Sequence, residues 1–520
     1  MKDLKIKLIF FSNMSSWFIF DQFILPYGLG ILTNFLRQNN YYVTLNDISV
    51  KIKDNYRRFL FPSSQRIDIH ILQPNNGEAI DYLLEQNYDN DNNSRKVDHF
   101  SEQLLSLASC EGYDLIGISI MNYFHFECLP ALLLLKKIKS LSNAKVVLGG
   151  PFINKHGREV FNTFPLVDYM IVGDGQVPLL KLIEHLEGRM PIEDVPSLIY
   201  RQNGSIKSNP RKFFSIEDLY MPDFSDLNLD AYRMEDGRSL PLPYQISRGC
   251  VYECSFCDHN RINPSVELKS HRKVVKEIKE MKERYQSNVF HFCDDAINCS
   301  YEYLDRLCDL FIEEKLDLHW TVEARADNLD RKILHKMRKA GCSRLAFGLE
   351  SGSNRILKSM VKGITSEQAS QVLRDSYEEG IKNIIFMMAG YPHETKEDIL
   401  ETVEFIRKNS EYIWKIGNLT TLKLEEGSPL YNNPDKFGIE NLRPLSDINF
   451  PAFFAFDEIN GLKWEEKVKQ QRYSYKKILW ANFKYILSKE YRINFVPFWF
   501  YFWLRDKCRL LYKRLFFRIF

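Results

Sequence analysis

Three cysteines within eight residues carry the clearest chemistry in this 520-residue chain: Cys250, Cys254 and Cys257, in the run Ser247-Arg-Gly-Cys-Val-Tyr-Glu-Cys-Ser-Phe-Cys257. The C-x3-C-x2-C spacing lets three thiolates hold three irons of a [4Fe–4S] cluster. The next cysteine, Cys293, lies well outside the loop, and Cys299 lies farther still. One iron is then left open for a chelating small molecule. Two other readings compete. A zinc site pairs C-x2–4-C with a second ligand pair of similar spacing, and His259 or His271 could complete one. Buried cysteines also serve as small hydrophobic residues.

The bulk of the chain sets the frame for that loop. At 520 residues two or three domains are expected. Hydrophobic content of 45% supports a globular core. A net charge of +2 gives no overall pull toward nucleic acid. Ten cysteines, three clustered and the rest scattered, do not read as a disulfide framework and fit a reducing cytoplasm. The start, Met1–Ser12, is charged and then apolar; it is too short for a spanning helix and reads as a buried first strand rather than a secretory signal.

Residues 1–190 alternate strand and helix patterns. Lys5–Ser12, Tyr42–Asp47, Asp114–Met121, Ala144–Gly149 and Val167–Val172 are short apolar strands, and Gly28–Leu36 and Leu132–Ile138 have helical spacing. This predicts a doubly wound parallel sheet of Rossmann type. The polar stretch between about 50 and 112 reads as an insertion. Ligands of such sheets bind beyond the carboxyl ends of the strands, where the turns Gly149-Gly150-Pro151 and Gly173-Asp174-Gly175 fall. Residues 191–243 read as a connector with brief extended pieces at Ser197–Arg201 and Lys212–Phe214. From Tyr244 to about 430 the pattern is strand then helix, six times over, with strands at 244–247, Val289–Cys293, His319–Arg325, Arg344–Leu349, Asn383–Met388 and Asn418–Leu424. Six such units predict a partial (β/α)6 barrel whose chemistry sits at the C-terminal strand ends. Thr395 with Asp398 three residues on marks a helix start. Residues 431–520 are expected to be a helical C-terminal region.

The cysteine spacing, together with the order of residues at the barrel's strand ends, resembles the radical S-adenosylmethionine (SAM) enzymes. The resemblance implies that the open iron binds the amino and carboxylate groups of SAM and that the reduced cluster releases a 5′-deoxyadenosyl radical. It also implies roles for single residues. Asp294 and Asp295 fall where that family contacts the SAM amino group. Arg325 ends the third strand, where a cation meets the SAM carboxylate. Glu350, in Gly-Leu-Glu-Ser-Gly, sits where the ribose is held. Gly390, Pro392 and Glu394 match a Gly-x-Pro-x-Glu-Thr turn near the adenine, and Phe256 flanks the last cysteine as an aromatic does in the family. Taken singly, an Asp pair before a helix is commonly an N-cap.

Residues 1–190, with Pro26-Tyr-Gly-Leu-Gly30 opening the first helix and glycines at 149, 150, 173 and 175, are similar to the cobalamin-binding domain that precedes many radical SAM barrels. The Asp-x-His-x-x-Gly element that supplies a histidine to cobalt is absent; the corresponding strand end reads Asn46-Asp-Ile-Ser49. The combined resemblance implies a cytoplasmic, oxygen-sensitive enzyme that uses a [4Fe–4S] cluster, SAM and cobalamin to methylate an unactivated carbon of a small molecule or peptide. The electron donor would be a flavodoxin or ferredoxin, with no nucleic-acid partner. Two alternatives remain: a radical SAM cyclase or oxidative enzyme of the anaerobic tetrapyrrole type, and a non-enzymatic iron–sulfur or cobalamin-binding regulator. The end of the chain, residues 495–520, interleaves aromatic and basic residues. Such a segment suits an interfacial helix on anionic lipid and hence a peripheral membrane contact; a helix packing its aromatics on the barrel or capping the substrate cavity is the preferred reading, because apolar stripes are usually core.

Overall fold

The computed structural model describes residues 4–11, 24–51, 82–84, 92–121, 128–234, 236–258, 265–445 and 453–490. His259, the aromatic–basic tail and most of the polar insertion lie outside the described residues.

The N-terminal sheet has seven strands in the order β2-β1-β3-β4-β5-β6-β7. Its parallel part comprises β1 (Lys5–Phe11), β2 (Tyr42–Asp47), β3 (Leu115–Ile120), β4 (Lys145–Gly149) and β5 (Tyr169–Ile171). The helices between are α1 (Tyr27–Gln38), α2 (Asn92–Ala108), α3 (Leu129–Leu141), α4 (Pro151–Thr163) and, after β5, α5 (Gln176–Leu186). Near-continuous burial of Ile6–Phe11 and Leu115–Ile118 is what a parallel sheet covered on both faces requires.

The expected connector is not merely a link. Its first extended piece is β6 (Leu198–Gln202), which pairs antiparallel to β5 and continues as a hairpin into β7 (Ser205–Ser208). The signal was present in sequence: Asn203 and Gly204 both have positive φ and form the two-residue loop that suits right-handed strand twist. Lys212–Phe214 forms no strand. Farther on, Met221, Phe224 and Tyr232 are buried in one cluster that runs from Ile6 in the first sheet to Ile413 in the second. Arg37 of α1 pairs with Asp223 at 2.7 Å and Asp226 at 2.6 Å, and Tyr232 donates to Asp47 at 2.7 Å. The connector is therefore part of the core that joins the two sheets.

The second sheet is parallel throughout, in the order β15-β14-β13-β12-β11-β8. Its strands are β8 (Leu242–Tyr244), β11 (Val289–Phe292), β12 (His319–Ala324), β13 (Cys342–Glu350), β14 (Lys382–Ala389) and β15 (Ile413–Thr421). The first and last strands sit earlier than the sequence suggests. Pro243 is tolerated inside β8 because that strand is an edge. Ser247–Arg248 (β9) instead pairs antiparallel with Glu267–Leu268 (β10) and frames the cysteine loop. The register of β15 shifts twice against β14, which obscures its alternation.

Helices α6 (His271–Tyr285), α7 (Tyr301–Glu313), α8 (Arg331–Lys339), α9 (Asn354–Ser359), α10 (Ser366–Glu378) and α11 (Lys396–Lys408) cover the outer face. Side chains of Ser270, Ser300, Asp330, Thr365 and Thr395 cap five of them, and the expected Thr395–Asp398 pair forms a reciprocal capping box.

The region after the barrel is not purely helical. A short helix α12 (Pro429–Asn432) precedes a hairpin of β16 (Ile439–Pro444) and β17 (Phe454–Glu458), followed by the long helix α13 (Trp464–Glu490). Burial of all five residues of β17 explains the hairpin: Phe454 and Phe456 pack with Tyr391, Leu422 and Leu430. Lys467 of α13 and Glu458 of β17 form an ion pair with side chains 0% and 3% exposed. Removing one partner strands a buried charge. Lys467→Met is expected to cost about 3–5 kcal/mol in urea unfolding, and adding Glu458→Gln should return a substantial part of that loss.

Candidate active site at the barrel mouth

The cysteine loop follows β9 and has no regular structure of its own, so its shape is set by what grips it. Asp294, after β11, grips the entry: its carboxylate accepts from Ile246 N–H at 3.1 Å, from Ser247 Oγ at 2.6 Å and from Ser247 N–H. Burial pushes its carboxyl up to about 7. The oxygens of Asp294 are thus engaged in holding residues 246–247, while Asp295 is half-buried and close enough to Cys250 to raise its thiol further. Burial is the larger cause of the raised Cys250 thiol.

Arg325, at the end of β12, grips the middle of the loop. Its guanidinium stacks on Tyr252 with 3.6 Å to the ring centre. Nη1 donates to Cys254 Sγ at 3.4 Å, Nε approaches Asp327 at 3.3 Å, and Nη2 donates to the carbonyl of Lys362. Ser255 N–H donates to the Met360 carbonyl at 3.0 Å, and the Ser255 carbonyl accepts from Leu430 N–H at 2.8 Å. None of the three loop cysteines is in a disulfide; Cys250 and Cys254 are half-buried and Cys257 is exposed.

Among the described residues no three His, Cys, Asp or Glu side chains converge closely enough to hold one metal ion. A cluster makes a different demand, because each thiolate meets its own iron. His271, a candidate zinc partner, stacks on Tyr303 at 4.1 Å, and its Nε2 lies 3.0 Å from the Tyr303 carbonyl. The donor set of three thiols on one short loop suits a cluster, with the Arg325 guanidinium donating to Cys254 Sγ.

Glu350 ends β13 at a bulge, with φ of +70°. A non-glycine residue in that region marks a re-aimed side chain. Its carboxylate is largely withdrawn from water, which raises its pKa, and Lys362 Nζ stands 3.6 Å away. Lys362 also lies 5.6 Å over the ring of Phe256. Glu350, Lys362, Arg325 and Phe256 thus come together beside the cysteine loop. Sequence reasoning missed Lys362, Tyr252 and Asp327, which carry no local spacing signal.

The turn with Gly390, Pro392 and Glu394 is closed on itself: Gly390 N–H donates to Glu394 at 2.7 Å. Gly390 has φ of +84°, and a Cβ there would collide with Gln471 of α13. Tyr391 links this turn to the cysteine loop, its Oη 2.8 Å from Ser255 Oγ and donating to the Ser359 carbonyl at 2.7 Å.

At the N-terminal sheet the four glycines divide. Gly150 has φ of +98°, and a Cβ would stand 2.5 Å from the Ile120 carbonyl; the packing of β3 against the turn demands glycine. At Gly149 a Cβ would meet only the Ile171 carbonyl at 3.8 Å. Packing does not require glycine there, which fits a backbone left bare for a flat ligand. Gly173 has φ of +99° and faces Arg211, and Gly175 packs against Leu32. At the end of β2, Asp47 accepts from Ser49 N–H at 2.9 Å and from Tyr232, so this corner is closed without a histidine.

Residues 244–406 match the Radical SAM superfamily, and the barrel is a radical SAM domain. The chain is 25% identical over 301 residues to an uncharacterized methyltransferase of Pyrococcus horikoshii, covering 57% of this chain and 64% of that one. It is 23% identical to an anaerobic magnesium-protoporphyrin IX monomethyl ester cyclase of Synechocystis, over 57% of this chain and 60% of the relative. The chain thus spans less than two thirds of the length of these relatives. Its fold is similar to that of the cobalamin-dependent S-adenosylmethionine radical enzyme OxsB with aqua-cobalamin bound (TM-score 0.64, 16% identity, 93% of this chain, 72% of that one). It is also similar to the radical S-adenosylmethionine methyltransferase TsrM of Kitasatospora setae with cobalamin and a [4Fe–4S] cluster bound (TM-score 0.64, 15% identity, 92% and 89%). At such identities the likeness establishes the fold.

Two outcomes follow from the geometry. Gly150→Ala should lower stability by about 1–3 kcal/mol from its backbone dihedrals alone, whereas Gly149→Ala should fold normally, as melting curves would show. Burial raises Glu394 from 4.5 to about 7, so between these values the native state binds the proton and the unfolded chain does not. The stability contributed by protonated Glu394 is therefore present at low pH and lost as pH rises toward 7. Glu394→Gln should gain on the wild type as pH rises through that window, read from denaturant midpoints.

Proposed function

We propose that this chain is a cobalamin-dependent radical SAM enzyme that methylates an unactivated carbon of a small molecule or peptide. The observation that carries the reading is the cysteine triplet at the C-terminal mouth of a parallel barrel, held by ion pairs to the mouth of a doubly wound sheet. Cys250, Cys254 and Cys257 would hold the [4Fe–4S] cluster. Glu350 and Asp295 would take the ribose and ammonium of SAM, and the Gly390–Glu394 turn would line its adenine. Arg325 holds Cys254 and Tyr252 in register, and Gly149 would lie against the corrinoid. When bound, these groups supply a 5′-deoxyadenosyl radical and a transferable methyl group; the protein orients them and keeps water out. Arg325 has most of its donors occupied by the chain itself, so Lys362, a cation beside Glu350, is the better placed partner for the SAM carboxylate.

A second reading, ring formation on a tetrapyrrole, is favoured by the likeness to the Synechocystis cyclase. Among the described residues no helix is long and apolar enough to cross a membrane.

Anaerobically reconstituted protein should take up about four irons per chain and cleave SAM. Replacing all three loop cysteines by alanine should abolish both, while Cys293→Ala and Cys299→Ala should keep the iron. Purification with hydroxocobalamin supplied should give stoichiometric corrinoid, without the spectrum of imidazole coordination. Iron retained by the triple variant would refute the cluster assignment, and absent corrinoid with SAM cleavage intact would reduce the N-terminal sheet to a scaffold.

A further inference from the structure

The cysteine loop is gripped at both ends by charged side chains of the N-terminal sheet. At the entry, two residues before Cys250, Arg248 Nη1 pairs with Asp174 at 2.7 Å and donates to the Phe214 carbonyl at 3.3 Å. Asp174 is the middle residue of the Gly173-Asp174-Gly175 turn between β5 and α5. At the exit, directly after Cys257, Asp258 stands 2.5 Å from Lys155 Nζ, which also holds Glu425 at 2.8 Å. Lys155 belongs to α4, whose N-terminus follows the Gly149-Gly150 turn, and Glu425 lies just past β15. The Gly173–Gly175 turn and the helix that follows the Gly149-Gly150 turn are therefore each tied, through one charged residue, to one end of the same loop.

Isolated surface pairs contribute little, but these differ in two ways. The loop partners, Arg248 and Asp258, each have side chains only 13% exposed, so losing a partner leaves a largely desolvated charge. They also act together, since they hold the two ends of a loop that has no helix or strand of its own. Elsewhere in the chain, Asp294 holds the entry and Arg325, Met360 and Tyr391 hold the centre, whereas the exit is held from α4.

We infer that Lys155 and Asp174 are positioning residues for the [4Fe–4S] cluster, so that the N-terminal domain, through helix α4 and the Gly173–Gly175 turn, fixes the path of the cysteine loop. This rests on the reading of Cys250, Cys254 and Cys257 as cluster ligands. It assigns these elements a task besides that of lining a cofactor crevice, and that task is independent of whether a corrinoid is bound.

The test uses full-length protein reconstituted anaerobically with iron and sulfide, without corrinoid. The cluster's visible absorbance is followed as excess EDTA strips the iron. Asp174→Asn and Lys155→Met should each lose the cluster roughly tenfold faster than wild type, equivalent to about 1.4 kcal/mol. The charge-swapped pair Asp174→Arg with Arg248→Asp should return the rate toward wild type. In about 1 M NaCl, where the Debye length falls to ~3 Å, the wild type should lose its cluster faster, while Asp174→Asn should respond less. Lys155→Met at the other end keeps the inference open to refutation should the swapped pair fail to fold. Variants that hold the cluster as long as wild type, or a folded swapped pair as labile as Asp174→Asn, would overturn the inference alone. A wild type that takes up no iron would overturn the cluster reading and this inference with it.

Discussion

Arg325 is only 6% exposed, yet its guanidinium touches four residues on three pieces of chain: Tyr252 and Cys254 in the cysteine loop, Asp327 beyond β12, and the Lys362 carbonyl beyond α9. A cation withdrawn from water is tolerated only when matched on most of its faces, and the planar fork of arginine, with one face free to stack, can be matched this way where lysine cannot. The matching has a structural consequence. The cysteine loop, the third strand end and the segment that carries Lys362 are locked to one another before any ligand arrives. Lys362 is thereby delivered beside Glu350, and Phe256 beneath it. The wall of the site is assembled around one buried charge.

That arrangement explains what could and could not be read from the sequence. Local periodicity was sufficient for β1 to β5 and for the middle four barrel strands, because each is a short run buried on one or both faces. The Thr395–Asp398 capping box is equally local, and it forms as expected. The two edge strands of the barrel were displaced because Pro243 and the register shifts of β15 hide the alternation. β6 is legible as an extended piece of the connector, but its pairing with β7 is not drawn from the sequence although Asn203-Gly204 is a hairpin turn, and β17 lies in a region whose sequence reads as helical. The cysteine triplet and Glu350 were legible as chemistry. The partners of Arg248 and Lys155 were not, since ion pairs between residues 74 or more positions apart leave no spacing pattern.

The glycines show the same division in a single turn. Gly149 and Gly150 are indistinguishable as a Gly-Gly dipeptide before a helix. In space, one is demanded by the Ile120 carbonyl and a positive φ, while the other has room for a side chain that it lacks. Only at the second does packing leave the glycine unexplained. Asp174 sits between two glycines that invite the same cofactor reading, yet its own carboxylate is engaged with Arg248. A turn at the edge of a doubly wound sheet can therefore serve the neighbouring domain as well as a bound molecule.

The C-terminal region completes this interdependence. Lys467 donates to the Tyr391 carbonyl at 2.6 Å, and Tyr391 Oη meets Ser255, which lies between Cys254 and Cys257. The path from a buried ion pair on α13 to the cysteine loop is two side chains long. Sites held on loops are precise only when their supports are rigid, and here the supports come from three directions. The N-terminal sheet holds the ends of the loop. The barrel supplies Asp294 and Arg325. The C-terminal helix reaches the loop through the Gly390–Glu394 turn. None of these supports is a thiol, and each belongs to an element whose own burial keeps it in place. The position of the three sulfur atoms is consequently a property of the whole chain rather than of the eight residues that contain them.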